Sequence, residues 1–200
     1  MDMKSQRNES DFKKHLTSDI RNWTPIYLYW RPFLLGQAKT SIEYMNNRAI
    51  DYITEDFYES LSFMDSEMPD LDTVRDLFFE GGALFNLSFG KPISYTVNSF
   101  IRSIEGSIED GQLTQFMQRE LYSKTEIFGR VAQRVSVYEY SFAYHEIENL
   151  PKGINYIQFI QVDDLWRITS MAWNDESENY VIPSELVNGW WIGEWLIGLD

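Results

Sequence analysis

The order of helical and alternating apolar spacing between Ser41 and Glu176 limits the possible folds more than any other feature of the chain. In the first half, apart from one strand, the apolar residues recur every three or four residues, as on one face of a helix. In the second half they alternate, as along strands with one covered face. Two helical stretches, a strand, a third helix and then a run of strands make an α+β unit rather than a repeating βαβ array.

Thr40 or Ser41 can cap the first helix. Ile42, Met45, Ala49, Tyr52, Ile53, Phe57, Leu61 and Met64 form its apolar face. Asp65 to Asp70, with Pro69, reads as a turn. Asp72 then caps a short helix over Thr73–Glu80, stopped by Gly81-Gly82. Ala83–Ser88 reads as a strand and Phe89-Gly90-Lys91-Pro92 as a turn. A third helix covers Thr96–Ile108, with Val97, Phe100, Ile101 and Ile104 on one side. Gln115–Phe128 and Arg130–Phe142 follow as strands. In the second of these Val131, Val135 and Val137 share one face and Tyr138, Tyr140 and Phe142 the other, so part of it is covered on both sides. Tyr144–Gly153 reads as a polar loop. Ile154–Val162 and Trp166–Trp173 pair as a hairpin through Asp163-Asp164-Leu165.

The ends differ from this middle. Residues 1–39 form a polar, then aromatic, N-terminal arm, partly disordered at its start. Trp23, Tyr27, Tyr29, Trp30 and Phe33 crowd around Pro25 and Pro32, and the prolines argue against one long helix there. Residues 40–176 make the domain, and residues 177–200 an acidic extension carrying Trp190, Trp191 and Trp195. The net charge is −14, yet residues 1–40 hold seven basic side chains against four acidic ones. The rest of the chain is therefore strongly acidic and repels phosphate backbones, which argues against nucleic-acid binding. With no cysteine, thiolate metal sites and cysteine nucleophiles are excluded. No apolar run is long enough for a membrane span and the first residues lack a signal-peptide core, so no membrane partner is expected and the cytoplasm is the expected compartment.

Three short stretches carry a family resemblance. Phe57-Tyr58-Glu59-Ser60-Leu61 resembles the aromatic-aromatic-Glu-Ala-Leu end of a first helix. Phe89-Gly90-Lys91-Pro92-Ile93 resembles a Gly-x-Pro-hydrophobic link before a third helix. Ile168-Thr169-Ser170-Met171-Ala172-Trp173, followed by Asp175-Glu176, resembles a last strand. In this order they are similar to the NTF2-like (SnoaL-like) superfamily, over about two-thirds of the chain. The resemblance implies a cone, in which a curved, mostly antiparallel sheet wraps around about three helices. It also implies a homodimer through the sheet face.

Its implication for activity is divided, since some members are isomerases, dehydratases or cyclases of apolar carbonyl compounds and others only bind. In the ketosteroid isomerase branch an aspartate base precedes the Gly-x-Pro link; here that neighbourhood is Asn86-Leu87-Ser88-Phe89, without a carboxylate. The tyrosine of that branch falls nearest Phe57, with Tyr58 turned away by about 100° around the helix. The two histidines, His15 in the arm and His145 beside Glu146, read as surface residues, and no metal or cofactor is expected. Tyr58, Asn86, Phe100, Tyr138, Tyr140 and Trp173 are the candidate pocket wall. Tyr hydroxyls and an Asn amide suit a small, mostly apolar ligand. The expected function is therefore non-catalytic binding of a small apolar ligand or a partner. The alternative is an isomerase, dehydratase or cyclase acting on an apolar carbonyl compound.

Overall fold

The computed structural model describes residues 26–64, 67–143 and 148–186. The chain falls into two compact units, Met1–Met45 and Asn46–Asp200, and every contact discussed below lies within the second. Three helices are described: α1 (Ile26–Leu61), α2 (Leu71–Leu77) and α3 (Val97–Glu109). Six strands form one sheet: β1 (Phe78–Asn86), β2 (Ile93–Thr96), β3 (Met117–Phe128), β4 (Val131–Ser141), β5 (Lys152–Val162) and β6 (Leu165–Asp175). Their spatial order is β2-β1-β6-β5-β4-β3. Only the β1–β6 pairing is parallel. The expected α+β architecture, a curved and mostly antiparallel sheet with three helices, is present.

The first helix departs from expectation at its start. It begins at Ile26 and runs through Pro32 without a break. Pro32 is the seventh residue, past the four N–H groups that have no intrahelical partner, so it removes one i→i−4 hydrogen bond, and the helix continues on the bonds around it. Its covered stripe also differs. Ile50, Thr54, Phe57, Tyr58 and Leu61 are buried, whereas Tyr52 is half exposed with the Arg48 guanidinium over its ring, and Met64 lies beyond the helix end. Thr54 is tolerated inside because its hydroxyl donates to the Ile50 carbonyl at 2.9 Å.

Asp70, not Asp72, caps α2: its carboxylate accepts from the Thr73 N–H. Gly81-Gly82 does not stop that helix, which ends at Leu77. The glycines lie inside β1, where the register against β6 slips between Phe78 and Ala83. Gly81 has φ +84°, and a Cβ on Gly82 would stand 2.9 Å from the Phe78 ring, so this bulge requires both glycines. The four-residue β2 was not expected. Thr96 closes it and caps α3, its hydroxyl accepting from the Ser99 N–H. The β5–β6 turn is tighter than expected: Val162 pairs with Leu165, and Asp163 and Asp164 both take positive φ, as a two-residue type I′ turn requires. β5 begins at Lys152, inside the segment expected to be loop.

Alternation places Ala132, Arg134, Ser136 and Tyr138 of β4 on the inner face, with Gly153, Asn155, Ile157 and Phe159 of β5. Val137, on the other face of β4, is also buried, as expected for a strand covered on both sides. The core gathers Ile50, Phe57, Val74, Leu84, Ile101, Ile157, Phe159, Ile168 and Met171. His15, Trp23, His145, Trp190, Trp191 and Trp195 lie outside the described residues.

Candidate functional site

Between the helices and the inner sheet face lies a cavity of about 200 Å³. Phe57 and Leu61 reach it from α1, and Phe100 and Ile104 from α3. Phe63 and Phe116 close one side, joined by reciprocal backbone hydrogen bonds of 2.8 and 2.9 Å. The sheet contributes Gln118, Asn155, Met171 and Trp173, and Leu113 and Phe142 complete the wall. Phe100 packs edge-on against Trp173, ring centroids 6.0 Å apart. Among the described residues the wall carries two amides and no titratable side chain.

A polar chain runs from this wall into the sheet. Asn155 Nδ2 donates to the Tyr58 hydroxyl at 2.8 Å, and that hydroxyl lies 2.7 Å from Ser136 Oγ. Ser136 Oγ donates to Glu120 at 2.5 Å. Arg134 grips Glu120 with Nε at 3.0 Å and Nη2 at 2.5 Å, while its Nη1 reaches Asp51 at 2.8 Å and Thr125 at 2.7 Å. Arg134, Ser136 and Asn155 are 3%, 0% and 2% exposed. Burial works against the Arg134 charge; the bonds and charges of Glu120 and Asp51 outweigh it and raise the pKa. Burial raises the Tyr58 pKa well above the phenol range, so Tyr58 acts as a hydrogen-bond donor, not a base.

A second cluster sits at the far end of β6. Tyr138 donates to Asp175 at 2.7 Å, and the charge of that carboxylate also acts on Tyr140. Burial and then the Asp175 charge raise both phenol pKa values. Asp175 does not line the cavity; it borders a separate depression of about 710 Å³ with Phe89, Tyr156, Trp173 and Tyr180.

Neither a protein-family model nor a curated protein matches the sequence. Solved structures do. An NTF2-like protein of unknown function from Pseudomonas putida is 9% identical over 70% of this chain and 92% of its own, with a TM-score of 0.51. A protein of unknown function with a cystatin-like fold, from Nostoc punctiforme, is 13% identical over 67% of this chain and 93% of its own, TM-score 0.51. A protein of unknown function from Mycobacterium tuberculosis is 13% identical over 74% of this chain and 79% of its own, TM-score 0.52. The chain has the NTF2-like fold.

In this NTF2-like cone the candidate residues separate into three places. Phe100 and Trp173 line the cavity. Tyr58 lies one bond behind the wall, bridging Asn155 and Ser136. Tyr138 and Tyr140 turn to Asp175, and Asn86 is taken up locally, its side chain accepting from the Ser88 N–H at 2.9 Å. The turn of about 100° between Phe57 and Tyr58 has the expected consequence: Phe57 faces the cavity and Tyr58 the polar chain. Asn155, Glu120 and Arg134 were missed. Their signal was available, since strand alternation places Arg134 and Asn155 on the same faces as Tyr138 and Phe159.

Proposed function

We propose that this NTF2-like protein binds a small, mainly apolar molecule in the cone without transforming it. The cavity wall carries the reading: ten of its twelve residues are aliphatic, aromatic or Met, and the other two are amides. An enclosed apolar cavity of about 150 Å³ is enough to take up benzene, so about 200 Å³ suits one or two fused rings. The alternative, an isomerase, dehydratase or cyclase of a carbonyl compound, needs a group that moves a proton. The two wall amides do not titrate near neutral pH, and Tyr58 behind them keeps its proton.

Naphthalene titrated into the full chain tests this, with Trp emission or calorimetry as the readout. Saturable binding at roughly 0.01–0.5 mM is expected for a ligand of this size. Ile104→Trp, which fills the cavity from α3, should abolish it while leaving the unfolding midpoint nearly intact. Binding that persists in Ile104→Trp, or no saturable binding in the parent, refutes the reading.

The partner belonging to this reading is a second copy of the chain, joined through the outer sheet face. Tyr156 of β5 and Val131 of β4 on that face, and Phe89 of the turn after β1, are 55%, 53% and 63% exposed, apolar surface that a second copy would cover. Light scattering at micromolar concentration should give twice the chain mass, and Tyr156→Glu should halve it. We also propose a reducing compartment such as the cytoplasm, which a chain without cysteine fits. No described helix is long and apolar enough to cross a membrane.

A further inference from the structure

Asn155 is the wall amide whose orientation the protein fixes. Its orientation follows from the charged end of the polar chain. Arg134 holds both carboxylate oxygens of Glu120, and a carboxylate in such a pair only accepts. Ser136 Oγ, 2.5 Å from that carboxylate, must therefore donate to it. Having one proton, Ser136 can only accept from Tyr58 across their 2.7 Å contact. Tyr58 then has no proton left for Asn155 and can only accept from it, so Nδ2 faces Tyr58 at 2.8 Å and Oδ1 faces away.

Asn155 Oδ1 has no hydrogen-bond partner among the described residues. Yet none of their side-chain polar atoms is both enclosed and unpartnered. Oδ1 therefore reaches open space, and the open space beside Asn155 is the cavity. The residue itself is only 2% exposed, so bulk water is not its default partner. Gln118, the other wall amide, has no side-chain hydrogen bond to a described residue and can turn either way.

We propose that the cavity selects a one- or two-ring molecule bearing a hydrogen-bond donor, a phenol-type O–H or an indole-type N–H, and seats that donor on Asn155 Oδ1. This rests on the cavity reading above and sharpens it. A carbonyl compound would set two acceptors face to face at Asn155, leaving a buried oxygen unsatisfied. Tyr58 is a positioning residue here: it touches no ligand and holds the amide one way round.

The test compares three ligands of one shape on the full chain by calorimetry: 2-naphthol, naphthalene and 2-naphthaldehyde. The expected order places 2-naphthol about tenfold tighter than the aldehyde. In Tyr58→Phe the amide is released, and the naphthol-to-aldehyde ratio should fall to roughly twofold or less; a general loosening would weaken all three ligands in proportion. Asn155→Leu should abolish the preference as well, so the outcome does not depend on one variant folding. Equal affinities in the parent, or preference for the aldehyde, overturn the assignment while leaving the apolar cavity standing. A ratio unchanged in Tyr58→Phe overturns the positioning role. Failure of all three ligands to bind overturns the cavity reading and this inference together.

Discussion

Gly153→Ala is the sharpest test of how the inner sheet face is built. Tyr138, Gly153 and Asp175 stand opposite one another across β4, β5 and β6. The Tyr138 ring crosses over Gly153 to place its hydroxyl 2.7 Å from Asp175. A Cβ on Gly153 would stand 2.3 Å from that hydroxyl, 2.4 Å from the ring carbon bearing it and 2.9 Å from the Asn174 carbonyl oxygen. Ordinary contact needs about 1 Å more, so the ring must swing away and release Asp175. Overpacking costs about 1–3 kcal/mol. Losing a hydrogen bond to a charged acceptor costs about 1.5–3 kcal/mol, and the gain from replacing a strand glycine returns about 0.5–1 kcal/mol. The expected loss is about 3 kcal/mol, a large share of the 5–15 kcal/mol typical of a domain. Urea unfolding followed by circular dichroism reads it as a lower midpoint at constant slope. In a Tyr138→Ala background the ring is gone and only the 2.9 Å approach to the Asn174 carbonyl oxygen remains, so the same substitution should cost clearly less than in the parent, about 1–2 kcal/mol. A loss under about 0.5 kcal/mol in the parent, or an equal loss in both backgrounds, refutes the row as described.

Arg134→Met keeps much of the packing but strands Glu120, whose side chain is 23% exposed; urea unfolding should show a loss of about 3–5 kcal/mol, partly recovered by Glu120→Gln in the same chain. A loss below about 1 kcal/mol would mean that solvent already screens the pair. The Asp70 carboxyl is held below the ordinary aspartate range, first by the Thr73 N–H and then by the Thr73 hydroxyl. A depressed folded-state pKa stabilises above the unfolded value near 4 and is lost as pH falls through the folded value. The stability gap between the parent and Asp70→Asn should therefore shrink from pH 6 to pH 3, and a gap independent of pH would refute the cap.

The strands were legible because their signals are local. Alternation along β4 and β5 and the Asp163-Asp164 pair give the hairpins directly, and Thr96 marks the start of α3. Elsewhere a local rule lost to context. Gly81-Gly82 after a helical stretch reads as a stop, yet the same glycines serve a bulge once β1 must pair with β6. Pro32 reads as a breaker, but it removes one donor from a helix with ample others. The cavity was half legible. Phe100 and Trp173 lie on strongly patterned elements, whereas Phe63, Leu113, Phe116 and Phe142 come from segment ends whose convergence no periodicity records. The tyrosines of β4 were placed on the correct face, but which acceptor they meet depends on Gly153 and Asp175, one and two strands away.

A buried charge pair is weak evidence for stability, since an apolar replacement of the same volume is often as stable. The Arg134–Glu120 pair is better explained by its geometry than by its energy. β3 carries one extra residue, Leu121, where the register against β4 slips between Glu120 and Tyr122. Without that bulge Glu120 and Thr125, five residues apart, would point to opposite faces of the sheet. With it both turn inward, and Arg134 meets the two together with Asp51 of α1. The bulge thus fixes a carboxylate beside Ser136, and the donors behind it can be ordered only one way, as far as Asn155. The oxygen that reaches the cavity is in this sense set by a single inserted residue two strands away, beyond the reach of any ligand in the cone.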